Sequence, residues 1–315
     1  MRGRLLQEER RGGFTGNDAR TWLLARIPAA ERRLNLAGVS TAVLEGGEGT
    51  PVVLLHGPGE SAVKWFQVIA GLVRTHRVIA PDLPGHGASE DTEGRLDGDR
   101  VLAWLGELIE RTCQAPPALV GQVVAGAIAA RFAAARGDQL SHVVLVDALG
   151  LAPFRPAPEF ERVLMAFLAQ PGEATYDGLW SRCAFDVGRL RERLGDAWEP
   201  LKAYHLDRAR VPVVQEALHA LMGEFGMPAI PEAELARITV PTTLIWGRHD
   251  LATSLHVAEA ASTRHGWPLH VIEDAGDDPA IEAPEAFLDV LRSTLAVSEP
   301  REANTGSRTS ASRPR

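Results

Sequence analysis

The 315-residue chain is 45% hydrophobic, long enough to bury one large core with an inserted subdomain, which excludes a small disulfide-stapled scaffold. Its two cysteines, Cys113 and Cys183, are too few for a disulfide framework or a thiolate metal cage, and no run approaches the roughly 18 apolar residues of a membrane span. The net charge of −8 is uneven: residues 1–33 sum to +4 and 298–315 to +2, so the acidic body repels nucleic acid.

The first residues hold no apolar stretch of signal-peptide length, and with cysteines suited to a reducing compartment this leads us to expect a cytoplasmic protein. Residues 1–30 read as a basic, solvated N-terminal extension. An antiparallel hairpin follows, with strands near 33–37 and 40–45 turning at Ala37-Gly38. Short apolar runs then alternate with longer amphipathic stretches, the pattern of β-α units in a mostly parallel sheet. The runs are Val52–Leu55, Arg77–Ala80, Ala118–Gly121, His142–Asp147, Thr243–Trp246 and Leu269–Ile272, so an eight-stranded α/β architecture is predicted. Helices are predicted at 61–73, 97–112, 125–136, 252–263 and 281–295. Between the strands ending at Asp147 and opening at Thr243, more than ninety residues show helical periodicity. Proline-marked joints bound residues 153–231, read as a helical cap inserted between core segments 31–152 and 232–296. The tail, 297–315, has almost nothing apolar to bury and reads as disordered.

Three segments resemble the α/β-hydrolase superfamily, above all its capped branch of epoxide hydrolases, haloalkane dehalogenases and C–C bond hydrolases. The first is Leu54-Leu-His-Gly-Pro-Gly-Glu-Ser61 with Val78-Ile-Ala-Pro-Asp-Leu-Pro-Gly-His-Gly-Ala-Ser89. The second is Leu119-Val-Gly-Gln-Val-Val-Ala-Gly126, where that family places a nucleophile on a strained strand-to-helix turn. The third is Val240-Pro-Thr-Thr-Leu-Ile-Trp-Gly-Arg-His-Asp250, followed by Glu273-Asp-Ala-Gly-Asp-Asp-Pro279.

The resemblance implies a triad that these residues do not supply. The nucleophile position holds Val123, which has no lone pair for attack, and from Gln114 to Leu140 there is no Ser, Thr, Cys or Glu. Asp250 matches the family acid, but Asp277 occupies the histidine position. Pro58 occupies the position whose backbone N–H would donate to an oxyanion, a loss worth about 100- to 1000-fold in rate, leaving Val124 N–H as a lone donor.

The remaining chemistry is an aspartate pair, Asp250 and Asp277, which the fold would bring together. Close carboxylates raise each other's proton affinity and can act as acid and base without a covalent intermediate. Alternatively, Asp250 caps the helix near Thr253, and Asp277 or Asp278 caps the one after Pro279. Ser61 reads as an N-cap, His56 and His86 as loop-holding histidines, and Asp147 as a third rim carboxylate or a cap. Gly57, Pro58, Val123, Val124, Trp180 and His249 are expected to line a pocket for a small apolar molecule, with His249 a candidate for facing inward. No metal or cofactor is expected: His205, His219 and His256 lack ligand spacing, and no nucleotide-binding motif occurs. Two functions follow, an acid–base enzyme under a cap or a ligand-binding pseudoenzyme, ahead of a conventional serine hydrolase. Oligomeric state is not legible.

Overall fold

The computed structural model describes residues 14–91 and 96–298; the predicted disordered tail, from 299 on, and the first 13 residues of the basic extension lie outside them. Strands β1 (Ala30–Leu36) and β2 (Val39–Gly46) form the predicted hairpin. Leu36 faces Val39, so the turn is two residues long, and Ala37 and Gly38 both take the positive φ (46° and 78°) that such a turn requires.

Strands β3 (Thr50–Leu55), β4 (His76–Pro81), β5 (Glu90–Asp91), β6 (Ala118–Gln122), β7 (His142–Val146), β8 (Thr242–Gly247) and β9 (Leu269–Ile272) complete one sheet of order β1-β2-β4-β3-β6-β7-β8-β9. The ninth, two-residue strand β5 pairs only with β2, too short a pairing to leave an apolar signature in sequence. From β4 to β9 all pairings are parallel, with Val53, Leu119, Val143 and Thr242 in one register row. Every residue of β6, β7 and β8 is buried, because helices cover both faces of a parallel sheet.

Helix α1 (Gly16–Leu24) comes first, capped by Thr15. Its Ala19 and Leu23 are fully buried, so this part of the extension packs rather than being solvated as expected. Helices α2 (Phe66–Leu72), α3 (Gly98–Thr112) and α4 (Val124–Arg136) flank the first half of the sheet. Between β7 and β8 come α5 (Pro158–Ala169), α6 (Glu173–Cys183), α7 (Val187–Leu194), α8 (Trp198–Ala209) and α9 (Pro212–Leu221). A short α10 (Glu232–Leu235) also precedes β8, and α11 (Leu255–His265), α12 (Pro279–Glu282) and α13 (Pro284–Ser298) follow it. Three helices depart from prediction: the one expected at 61–73 opens as a 3-10 turn, Ala62–Trp65, and becomes α2 only at Phe66. α11 starts three residues late, because Ala252 and Thr253 are bound in a turn by Asp250. The helix predicted at 281–295 is two, since Pro284 cannot continue the first and instead starts the second. No helix among the described residues is long and apolar enough to cross a membrane.

Candidate functional site

Strand β6 delivers the chain into α4 through Val123, whose φ of 51° and ψ of −114° are an outlier for a β-branched residue. Such strain costs about 1–3 kcal/mol and persists only where surroundings over-determine it. Here Val123 N–H donates to Val146 O (3.0 Å), and its carbonyl accepts from Gly126 (3.0 Å) and Leu149 (3.0 Å). A Cβ on Gly121 would lie 2.3 Å from Ala125 O, and one on Gly126 would lie 2.4 Å from Ala148 Cβ, which explains the small residues around the turn. The elbow geometry is intact with valine at its tip. Val123 is half-buried, facing Gly57, where a Cβ would come within 3.9 Å of Val123 Cβ.

The residue before the tip belongs to a network invisible in the motifs. Lys64, 1% exposed, sits on the short 3-10 turn Ala62–Trp65 and hydrogen-bonds Gln122 Oε1. Its ammonium also pairs with Glu60 (2.9 Å) and Asp278 (3.0 Å). Gln122 Nε2 donates to Asp278 Oδ1 (3.1 Å) and to Asp277 O (3.1 Å), and Glu60 accepts from Gly57 N–H (2.9 Å). One buried cation thus ties together the 57–60 loop, the elbow and the 276–278 loop, which by resemblance would carry the oxyanion donor, the nucleophile and the base. Burial alone would lower the Lys64 pKa; Asp278 and Glu60 outweigh it and raise it, so the ammonium stays charged.

Asp278 therefore does not cap α12 through its side chain; Glu282 accepts from Asp278 N–H (3.3 Å), Gly276 N–H (2.8 Å) and Phe185 N–H (2.7 Å). Asp277 is half-buried, and its N–H donates to Cys183 O (3.1 Å) at the end of α6. Asp250 Oδ1 accepts from Ala252 (2.7 Å) and Thr253 (2.9 Å), a cap on the turn before α11, while its buried Oδ2 has no hydrogen-bond partner among the described residues. Asp147, at φ 44°, accepts from Gly247 N–H at Oδ1 (2.8 Å), and its buried Oδ2 likewise has no hydrogen-bond partner among the described residues.

These carboxyls share one environment. Burial, reinforced by Asp278, pushes Asp277 up to about 7, and burial pushes Asp278 up to about 6 despite Lys64. Glu282 is pushed up to about 8 by burial, with Asp277 and Asp278 adding to it. Asp250 is raised well above the carboxylate range by burial and by Asp277, and Asp147 by burial and by Asp250. Among the described residues no group of three or more His, Cys, Asp or Glu is placed to hold a metal ion.

Other expected site residues scatter. Trp180 is buried on α6, 6.1 Å from both Tyr176 and Trp198 between ring centroids. His249, expected to face inward, is exposed and stacks on Phe185 at 4.2 Å, because its neighbour Asp250 takes the inward position. Ser61 occupies the N-cap position but its hydroxyl makes no cap; Asp82 takes Ala62 N–H (2.6 Å) instead. His56 holds its loop, with Nδ1 donating to Gly57 O (2.8 Å) and Nε2 accepting from Leu83 N–H (2.9 Å). Burial, then His86, lowers its pKa well below the usual value and keeps it neutral.

Lys64, Glu60, Gln122 and Glu282 carry no motif signal in the sequence. The available signal was a lysine four residues after Glu60 at the start of a helical stretch, a pattern ordinarily read as a solvated ion pair.

A family model described as the alpha/beta hydrolase fold matches residues 50–284. The chain is 25% identical over 279 residues to the 2-hydroxy-6-oxo-6-(2'-aminophenyl)hexa-2,4-dienoic acid hydrolase of Metapseudomonas resinovorans, covering 84% of this chain and 91% of that one. It is 30% identical over 243 residues to the magnesium-chelatase 30 kDa subunit of Rhodobacter capsulatus, covering 75% and 84%. Among solved structures, a bacterial membrane phospholipase A superposes with a TM-score of 0.76 at 24% identity, covering 91% and 92%. A meta-cleavage product hydrolase from Pseudomonas fluorescens superposes at 0.71 with 23% identity, covering 85% and 98%. The sheet order, the elbow and these likenesses converge: the chain belongs to the α/β-hydrolase family.

Proposed function

We propose that this α/β-hydrolase-family protein binds a small, largely apolar molecule between cap and sheet and releases it without forming a covalent intermediate. The observation that carries the reading is the pairing of Val123 at the elbow tip with the Lys64 network beside it. Valine removes the nucleophile. The ion-paired lysine fixes the loops whose counterparts would supply the other groups, and Pro58 has no N–H to donate. Concave sites beneath helical caps are default binding pockets, and an apolar floor leaves a ligand intact. The relatives' names extend from a dienoic acid hydrolase to a chelatase subunit, so membership does not impose hydrolysis on this chain.

The test is a thermal-shift screen of small lipophilic metabolites alongside a fluorophosphonate probe. A ligand at 100 times its Kd should stabilise by about 2.7 kcal/mol while the probe leaves no label. Labelling, or an absence of ligands across a broad library, would overturn the reading.

One observation favours a second reading, acid–base chemistry. Asp277 occupies the histidine position, is half-buried, and is pushed up to about 7, where a carboxyl both gives and takes a proton near neutrality. Turnover of an epoxide, β-hydroxy ketone or lactone that disappears in the Asp250→Asn, Asp277→Asn double variant would establish it.

A further inference from the structure

The end of α6 and helix α7, residues 183–193, lie along the loop that carries Asp277 and are joined to it at two depths. On the outside, α7 reaches across with two guanidinium groups: Arg189 pairs with Asp274 (2.7 Å) and Arg193 with Glu285, and the two carboxylates are 54% and 77% exposed. Beneath them two backbone amides cross the same seam. Phe185 N–H donates to Glu282 Oε2 (2.7 Å), and Asp277 N–H donates to Cys183 O (3.1 Å). A Cβ on Gly276 would lie 1.9 Å from Cys183 O, so the seam leaves no room for a side chain. Its two sides are not equally fixed. The loop keeps bonds of its own: Gly276 N–H and Asp278 N–H donate to buried Glu282 Oε1 (2.8 and 3.3 Å), Gln122 Nε2 donates to Asp277 O (3.1 Å), and Lys64 pairs with Asp278 (3.0 Å). Helix α7 is complete without the loop, because Asp186 caps it by accepting from Arg189 N–H (3.0 Å), and only its Leu190 and Leu194 are buried.

Exposed ion pairs hold weakly and are screened by salt, and elements with few buried apolar contacts are the first to open. We propose that residues 183–193 form a strap that lifts off the Asp277 loop as one piece, with the Arg189–Asp274 and Arg193–Glu285 pairs as its salt-sensitive latch. Of the amides along the seam, lifting frees only Phe185 and Asp277. Glu282 keeps Gly276 and Asp278, so the loop holds its shape while the half-buried Asp277 opens to solvent. Uncovering Leu190 and Leu194 sets the cost, so the open form is a minor one at rest. The strap thereby gates one side of the elbow, whatever molecule enters there.

Residue-resolved hydrogen exchange of the full chain tests this, because it reads minor open states amide by amide. Raising KCl from about 0.01 M to about 1 M, which shortens the screening length from about 30 Å to about 3 Å, should speed exchange at Phe185 and Asp277. The expected gain is about fivefold, the sum of two exposed pairs, while Gly276 and Asp278 change less than about twofold. An Arg189→Gln, Glu285→Gln double variant removes one exposed partner from each pair. At low salt it should exchange Phe185 and Asp277 as fast as the parent does at high salt, and added KCl should then have little further effect. Joint acceleration of all four amides would show that the loop unravels with the strap. That result, exchange at Phe185 and Asp277 indifferent to salt, or a variant that keeps the parent's salt response would overturn the proposal.

Discussion

Val123 and Lys64 can be tested one side chain at a time. Val123→Ser would place a hydroxyl on a turn already shaped for it, with Asp277 at the base position and Pro58 at the donor position. We expect no fluorophosphonate labelling of this variant, measured by intact mass, because an unactivated serine is a weak nucleophile. Lys64→Met should destabilise by about 3–5 kcal/mol at pH 8 in urea unfolding, since it strands Asp278 and Glu60 without their cation. The loss should shrink at pH 5. The variant's Asp278, without Lys64 to favour its charged form, takes up a proton more readily than in the parent, where it already titrates at about 6. An equal loss at both pH values would show that packing of the lysine stem, not charge, carries the effect.

At the scale of elements, the elbow depends on contacts between β6 and α4 that leave no room for a methyl group. Gly121→Ala would set its Cβ 2.3 Å from a backbone oxygen, so the turn must move; about 1–3 kcal/mol should be lost, read from the urea midpoint. The elements most legible in sequence were those with local signals. The Ala37-Gly38 hairpin, the apolar runs that became β3, β4 and β6–β9, and the helical stretch that became α3 all carry their instructions within a few residues. The breaks at Ala252-Thr253 and Ala283-Pro284 were less so, because a side-chain cap and a proline redirected an otherwise continuous helical pattern. At the site, the expectations for Val123, Pro58 and Asp277 rest on the motif position that each occupies. The Lys64 bonds to Gln122 and Asp278 span 58 and 214 residues, so no local pattern pairs them. His249 was misplaced for a related reason: adjacency to Asp250 says nothing about which of two neighbours turns inward.

For the whole molecule, the buried acids set a pH dependence whose sign is fixed by linkage. Folded Asp277 and Glu282 hold protons up to about 7 and about 8, whereas unfolded carboxyls release theirs near pH 4. In this window the folded state binds more protons, so stability falls as pH rises through it. Below about pH 6.5 the neutral histidines oppose this: His86 and His205 are both lowered to about 4, mainly by burial, and stability held by them is lost on acidification. The window from pH 6.5 to 8.5 therefore isolates the acids, and unfolding free energy should fall there on the order of 2 kcal/mol. The Asp277→Asn, Glu282→Gln double variant should flatten that slope; a slope unchanged in the variant would place its origin elsewhere.

Native mass spectrometry of the protein mixed with the best-stabilising lipophilic metabolite tests binding without covalent chemistry most directly. A ligand-bound mass should appear under native conditions, vanish on denaturation, and return the ligand unaltered. A mass increment that survives denaturation, or a released product differing from the compound added, would contradict the account.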